Sequence, residues 1–576
     1  MTESIRIDRN IPMEMRDGTL LRADVYRQDN NKKHPAIFIR TPYNKLLEYG
    51  HFLNLVDAAF AGYAVVVQDV RGRFASDGEW NAGGGISTVE SRDGYDSVEW
   101  IASQRWCDGN VGMQGLSYAA NLQWITAEEN PPHLKAITPG LCGMGGSGEG
   151  TGVLALALWS LWIARMAVDV ADRLEKQGKD VSRMRQMVGR ALHNVEEVVN
   201  FLPLKDVPHF QFDGVREMWN YLLHPYSSRP ESTKQSFAYH KVMVPCLNIS
   251  GWYDFATYGT TQNFIGMQEK GGSQRAREGQ HILMGPWIHS RYLTDYAGDI
   301  NFGPSAGSPG AQTTEHHLAF FDKYLRGMDV KLPVVRYFLM GRNRWQEADA
   351  WPLPQTQWHR YFLHSGGGAN TSDGDGLLTR HEPGAESPDI FVYNPHSPVP
   401  TTGGRSVPGG VVVSGPINHS HLEKRGDVLC YTTPELGEDT EVTGPLVFHL
   451  FAATSARDTD FTATLIDVHP DGRSYNVADG IVRARFRKSI FEPQMVTPGE
   501  VNEYIINMEN SGQLFRKGHR IRIDISSSNF PGCDRNMNTG NATGEDALGI
   551  PAMQTIFHQQ RYASFIDLPV IPAKPA

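Results

Sequence analysis

The feature that most limits how this chain can fold is a change of periodicity near residue 345. Before it, short β-branched runs alternate with helical segments; after it, helical periodicity disappears. PAIFIR (35–40) and YAVVVQDV (63–70) are compact apolar runs of the kind buried on both faces of a parallel sheet. The spacing predicts helices over 46–62 (LLEYGHFLNLVDAAFAG) and 94–103 (GYDSVEWIAS), then a strand and turn in NVGMQGLSY (110–118). RIDRNIPMEM and LLRADVYR, either side of the DGT at 17–19, predict a hairpin. Strands alternating with helices imply a doubly wound α/β sheet.

Two departures from that pattern organise the rest. Leu154–Lys176 and Ser182–Phe201 read as long helices with no strand between them, and the α/β pattern resumes at VPCLNIS (244–250) and HILMGPW (281–287). An insertion of this kind is a cap over a pocket, or else a plain structural insertion. Beyond residue 345 come WHRYFL, GPLVFHLFAAT, FTATLIDVHP, IVRARFR, VNEYIINM and HRIRIDISSS, separated by Gly/Pro/Asn/Asp turns, the pattern of a β-sandwich or jelly roll. The expected division is an α/β core over 1–145 and 241–345, a helical cap over 146–240, and a jelly-roll domain over 346–576.

Composition narrows the function classes. A net charge of −10 over 576 residues and the lack of a long Lys/Arg run speak against nucleic acid or an anionic membrane as partner. Five scattered cysteines, with no CxxC, imply reduced thiols. MTESIRIDRN has no apolar leader, and no stretch nears the roughly 20 apolar residues that span a bilayer. A cytoplasmic location is expected.

The chemistry centres on Gly115-Leu116-Ser117-Tyr118-Ala119, between a predicted strand and a predicted helix. Such a turn projects a serine hydroxyl from the sheet and aims the next amide, that of Tyr118, at a developing oxyanion. The usual second glycine is Ala119 here. Serine needs a histidine to take its proton and a carboxylate to orient that histidine. Asp254 (in GWYDF) and His289 (in GPWIHS) each follow a predicted strand, in the chain order this fold uses. Taken singly, Asp254 would read as a helix cap and His289 as a surface histidine; together with Ser117 they read as a triad. Tyr43, just past PAIFIR, is placed to offer its phenol as a second oxyanion donor, or else caps the sheet from within.

RTPY (40–43), QDVRGRFASDGE (68–79), WCDGNVGMQGLSY (106–118), GWYD (251–254), GPWIH (285–289), DTDFTATLIDV (458–468) and DGIVRARFR (479–487) run the length of the chain. With these motifs the chain resembles the bacterial cocaine esterase group, within the X-Pro dipeptidyl-peptidase and α-amino-acid ester hydrolase superfamily. The resemblance implies an α/β-hydrolase core with an inserted helical cap and a C-terminal β jelly-roll domain. It implies Ser117 as nucleophile, His289 as base, Asp254 as its partner, and Tyr43 with the Tyr118 amide as oxyanion hole. Trp159 matches a position that packs on the acyl group; Trp162 and Phe255 are pocket neighbours by position.

Ala120 stands where the group often has glycine, and no carboxylate cluster for a substrate ammonium is evident. A carboxylesterase acting on a small-molecule ester is therefore expected, with an amidase or acylase using the same triad as the alternative and a carbohydrate-binding jelly roll as the remote one. The chemistry calls for no metal and no cofactor, and a homodimer is left open. Glu315-His316-His317 reads as part of an amphipathic helix, not a metal site, and Asp458, Asp460 and Asp467 as turns and solvated faces. The glycines at 83–85, 143–152 and 403–405 lack the context of a phosphate loop, and Arg71 and Arg73 read as props near the elbow.

Overall fold

A computed structural model describes residues 4–80, 88–143, 151–224, 237–405 and 412–572. The glycines at 83–85 and most of the 143–152 run lie outside them. The first layer is a ten-stranded sheet in the order β1-β2-β4-β3-β5-β6-β7-β8-β9-β10. Its strands are β1 (Ile5–Glu14), β2 (Leu20–Gln28), β3 (His34–Thr41), β4 (Ala64–Asp69), β5 (Cys107–Leu116), β6 (Leu134–Gly140), β7 (Cys246–Tyr253), β8 (Gln280–Ile288), β9 (Val335–Leu339) and β10 (Arg344–Ala348). Strands β3 through β9 run parallel, whereas β1, β2 and β10 make the antiparallel edges. Full burial of Ala64–Val67 and of Ala36–Ile39 matches the uninterrupted apolar runs. Each such valine or isoleucine is worth roughly 1.5–3 kcal/mol.

The chain leaves β3 towards β4, then crosses back to β5 on the other side and continues outward. The loops after β3 and β5 therefore diverge, and a crevice opens between the two carboxyl ends, where open α/β sheets take their ligands. Tyr43 follows β3 and Ser117 follows β5, so topology alone brings them to one crevice.

Some predicted elements are interrupted. The helix expected over 46–62 is a single turn at Lys45–Leu47 followed by α1 (Leu55–Phe60). Gly50 breaks it with φ +71, where a Cβ would lie 2.2 Å from the Leu53 carbonyl oxygen. Helix α2 (Thr88–Ala102) starts before its predicted first residue, and α3 (Tyr118–Glu128) follows the elbow. In the insertion, α4 (Leu156–Lys176) agrees with the pattern. The second segment stops at His193, because Asn194 leaves helical geometry (φ −142, ψ 79), giving α5 (Ser182–His193) and a separate turn at Glu196–Val199. These pack with α6 (Arg216–Leu223) around Trp219, Phe210 and Ile163.

Beyond Ala348 the strands from Gln357–His364 to Phe565–Ile571 build the second, β-rich unit. In Thr440–Thr454, Leu446, Phe448, Leu450 and Ala452 are fully buried, the period of two expected of a strand with one face on a core. IVRARFR is only partly a strand, which ends at Arg483 before a turn over Ala484–Phe486. Asp458, Asp460 and Asp467 are not on solvated faces: they are 0%, 1% and 4% exposed. Arg483 bridges Asp460 and Asp534 at 2.9 Å each, and Arg485 pairs with Asp458 at 2.7 Å. Asp534 also accepts the Leu154 amide at 2.7 Å, tying the start of the cap to this unit.

A second buried charge centre is His558, which lies 2.9 Å from both Glu386 and Asp389. Burial disfavours its imidazolium, but the hydrogen bonds and charges of Asp389 and Glu386 outweigh that, so its pKa is raised above the ordinary value near 6.5. A raised folded-state pKa means stabilisation that is complete below pH ~6.5 and lost as pH climbs through the folded value. His558→Gln should therefore cost about 3–5 kcal/mol at pH 6 and less at pH 9. Melting curves of both proteins at the two pH values check this; a deficit independent of pH would contradict it.

Candidate active site

The centre of the site is a strained turn. Ser117 has φ 56 and ψ −122, a backbone region that costs of order 1–3 kcal/mol and persists only where its surroundings enforce it. Its amide donates to the Gly140 carbonyl of β6 at 2.9 Å, and its carbonyl accepts from the Ala120 and Asn121 amides of α3 at 3.0 Å each. Gly115 has φ +145, and a Cβ there would lie 2.8 Å from that of Ala119. The substitution of the usual second glycine by Ala119 is thus accommodated because the first is still glycine.

Ser117 Oγ lies 3.1 Å from His289 Nε2, and His289 Nδ1 lies 2.7 Å from Asp254 Oδ2. Asp254 is fully buried at the end of β7, and its Oδ1 accepts the Ala256 amide at 2.6 Å. One carboxylate oxygen is thereby held by backbone while the other faces the imidazole. The Phe255 ring leans on that of His289 with centroids 4.4 Å apart. The residues expected to form a triad are brought together in the expected order of contact.

The two groups expected as oxyanion donors, the Tyr118 amide and the Tyr43 phenol, lie on different elements. As the first residue of α3, Tyr118 has an amide with no acceptor inside the helix. Tyr43 is held by a rigid turn: its amide donates to Thr41 Oγ1 at 3.1 Å, Arg73 Nε donates to the Pro42 carbonyl at 3.2 Å, and buried Lys45 pairs with Asp69 at 3.2 Å. Burial raises the Tyr43 phenol above its ordinary pKa, against opposing pulls that include the Trp162 and Ser117 hydrogen bonds, so it remains a protonated donor. Trp162 Nε1 donates to the Tyr43 oxygen at 3.1 Å. An indole can only donate, so the tyrosine's own proton is left free to point elsewhere.

The cap supplies an aromatic wall. Trp159 meets Trp162 edge-on at 5.6 Å, Trp162 packs on Trp80 at 6.1 Å, and Tyr43 meets Tyr118 at 6.4 Å. Arg73 lies 4.6 Å beneath the Trp80 ring, donates to the Met166 carbonyl of α4, and pairs with Asp169; it is a prop, as is Arg71, paired with Asp93 at 2.6 Å. Trp80 and Glu90 were not foreseen as part of the site. Both bond the Tyr118 hydroxyl, at 3.3 and 3.0 Å, a tertiary pairing with no local sequence signal.

Other constellations have structural explanations. His316 and His317 each turn Nδ1 back to the carbonyl four residues earlier, on different sides of one helix. Asp467, His469 and His519 gather ligand-type atoms within 4.8 Å, yet hydrogen bonds account for both carboxylate oxygens: His519 at 2.7 Å and Gln513 at 3.1 Å. Ser365 lies 3.2 Å from His558 Nε2, but an imidazolium wedged between two carboxylates has no lone pair with which to take a proton. A pocket between cap and β-rich unit, lined by Leu156, Leu202, Arg483 and Asp534 among others, contains none of Ser117, Asp254 and His289. Among the described residues no helix is long and apolar enough to cross a membrane.

Residues 17–291 match the family model for X-Pro dipeptidyl-peptidase (S15 family), and residues 328–567 that for the X-Pro dipeptidyl-peptidase C-terminal non-catalytic domain. Cocaine esterase from Rhodococcus sp. (strain MB1 Bresler) is 35% identical over 584 residues, covering 98% of each chain. Among solved structures, an α-amino acid ester hydrolase superposes with TM-score 0.76 at 22% identity, over 99% of this chain and 97% of that one. An aminopeptidase from a marine sediment archaeon (Thaumarchaeota archaeon) gives 0.75, with the same identity and coverage. These two likenesses establish the fold: an α/β-hydrolase core followed by a β-rich C-terminal domain.

The elbow packing makes a stability prediction. Gly115→Ala should destabilise by about 1–3 kcal/mol, as an overpacked core site does, whereas Ala119→Gly should cost only about 1 kcal/mol. Denaturant unfolding of the two variants compares them, and equal losses would contradict the close approach of Gly115 to Ala119.

Proposed function

The chain belongs to the cocaine esterase group of the X-Pro dipeptidyl-peptidase (S15) family, and from that premise we infer that Ser117, His289 and Asp254 are the residues with which it works. It is an enzyme, a serine hydrolase that cleaves ester bonds in small molecules. The observation that carries the assignment of the triad is the unbroken string from Ser117 Oγ through His289 to buried Asp254, at 3.1 and 2.7 Å.

His289 Nε2 takes the Ser117 proton as Oγ attacks the acyl carbonyl. Asp254 holds Nδ1–H and stabilises the imidazolium that forms. Negative charge builds on the carbonyl oxygen, where the Tyr43 hydroxyl and the Tyr118 amide donate to it; donors fixed in advance need no reorganisation as charge appears. His289 then protonates the departing alkoxide, and water, activated by the same imidazole, hydrolyses the acyl-Ser117. The roles of Trp159, Trp162 and Phe255 divide. Trp159 faces the acyl group, Trp162 also holds the Tyr43 oxygen, and Phe255 braces His289. The indoles favour an apolar or aromatic acyl group. We assign the core to 1–145 and 241–345, the cap to 146–240 and a jelly-roll domain to 346–576. Five free cysteines support a reducing compartment, the cytoplasm.

Hydrolysis of a p-nitrophenyl ester and p-nitroanilide panel tests this reading. Wild type should turn over esters and leave anilides, and Ser117→Ala should lose at least about 10⁴-fold in kcat. Tyr43→Phe should lose about 10²–10³-fold in kcat with KM little altered. Ester turnover that survives Ser117→Ala would refute the triad, and anilide turnover would favour an acylase.

A further inference from the structure

Resting on that reading of the triad, we propose that Glu509, carried by the C-terminal β domain, is a positioning residue for Asp254. Through it this domain sets the aim of the carboxylate at His289.

The first observation is a backbone outlier. Glu509 has φ +69 within the strand Asn502–Phe515. The pairing with Thr440–Thr454 passes from Pro445↔Asn510 to Val447↔Asn507, so Met508 and Glu509 together oppose Leu446. This is a bulge, the device that re-aims a side chain out of a ladder. Its left-handed position is ordinarily given to glycine. A long acidic residue held there, 4% exposed, bears the strain for something its side chain does.

The second observation is where that side chain goes. Glu509 Oε2 accepts the amide of Tyr258 at 3.2 Å, in the first turn of α7 (Thr257–Lys270), four residues beyond Asp254. Arg405 Nε lies 3.6 Å from the same oxygen and donates to the Trp252 carbonyl at 3.2 Å, two residues before Asp254. Arg405 is itself anchored by the Asp479 and Asn510 carbonyls at 3.0 and 3.2 Å. The Asn510 side chain reaches Thr261 Oγ1 at 3.0 Å, and the Tyr253 hydroxyl donates to the Asn476 carbonyl at 3.2 Å. The segment that carries Asp254 is therefore gripped on both sides by residues of another domain. Inside that grip Asp254 needs only the Ala256 amide to complete its orientation.

The third observation is charge. Burial pushes the Glu509 carboxyl up to about 8, against the pull of Arg405 and of the Tyr258 amide, with Asp479 and Asp254 adding to the rise. The groups facing it are thus Arg405, Asp479, Asp254 and Tyr258. A largely neutral acid at this point supplies an acceptor oxygen without placing a second full negative charge beside Asp254.

The test separates positioning from folding. Glu509→Gly removes the carboxyl but suits φ +69, so relief of backbone strain offsets part of the lost contacts and the protein should stay folded with a modestly lower melting temperature. The Asp254 segment loses its anchor, so kcat should fall about 10–100-fold with KM within about 2-fold, magnitudes expected when a catalytic group is slightly misplaced. The acid limb of the kcat/KM profile should move to lower pH, because a misaimed Asp254 supports the imidazolium less well. Glu509→Gln keeps an acceptor oxygen and should restore kcat to within about 3-fold of wild type. Rates are expressed per active site, counted from the p-nitrophenol burst. Glu509→Gly with wild-type kcat and acid limb would overturn the proposal, as would Glu509→Gln falling as far as Glu509→Gly. Ester turnover, or a burst, that persists in Ser117→Ala would instead overturn the triad itself.

Discussion

The strained backbone at Ser117 is the constraint on which the site depends. A residue at φ 56, ψ −122 is not stable by itself. It is enforced by the close approach of Gly115 to Ala119, by the amide bond to β6, and by α3 starting at once after it. The same geometry raises Oγ out of the sheet and leaves the Tyr118 amide without a helical partner. The proposed nucleophile and the proposed oxyanion donor are thus two consequences of one turn.

Around that turn three layers each contribute to the proposed machinery. The sheet delivers Tyr43 and Ser117 to one crevice because the strand order reverses between β3 and β5. The cap reaches down through Trp162 to orient the Tyr43 phenol. The β domain braces the strand end that bears Asp254, through Arg405 and Glu509. The buried Arg483 centre, which joins Asp460 and Asp534 and through Asp534 the Leu154 amide, fastens cap to β domain. A rigid site is assembled from domains far apart in sequence, with buried charge at the joints.

The sequence makes the sheet strands and the proposed triad positions legible for clear reasons. Uninterrupted apolar runs survive as buried parallel strands, and the Ser117, Asp254 and His289 positions each sit at a strand end. Helix breaks were less legible. Gly50 stops a helix by turning to φ +71, and Asn194 does so through its own backbone geometry, neither of which shows in periodicity. Asp458 and Asp460 resembled turn residues; only tertiary structure brings Arg485 and Arg483 to them. Glu509 lies in an unremarkable polar stretch, and its role comes from a bulge register and a partner, Tyr258, 251 residues away. The GGR at 403–405, a phosphate loop neither in context nor in structure, in fact delivers Arg405 to the catalytic strand.

The most direct test of the central claim is intact-mass analysis after reaction with a fluorophosphonate, followed by peptide mapping. The account predicts one adduct per chain, on Ser117, formed at a rate that collapses in a His289→Ala variant. An adduct on another residue, or labelling of Ser117 that is indifferent to His289, would contradict it.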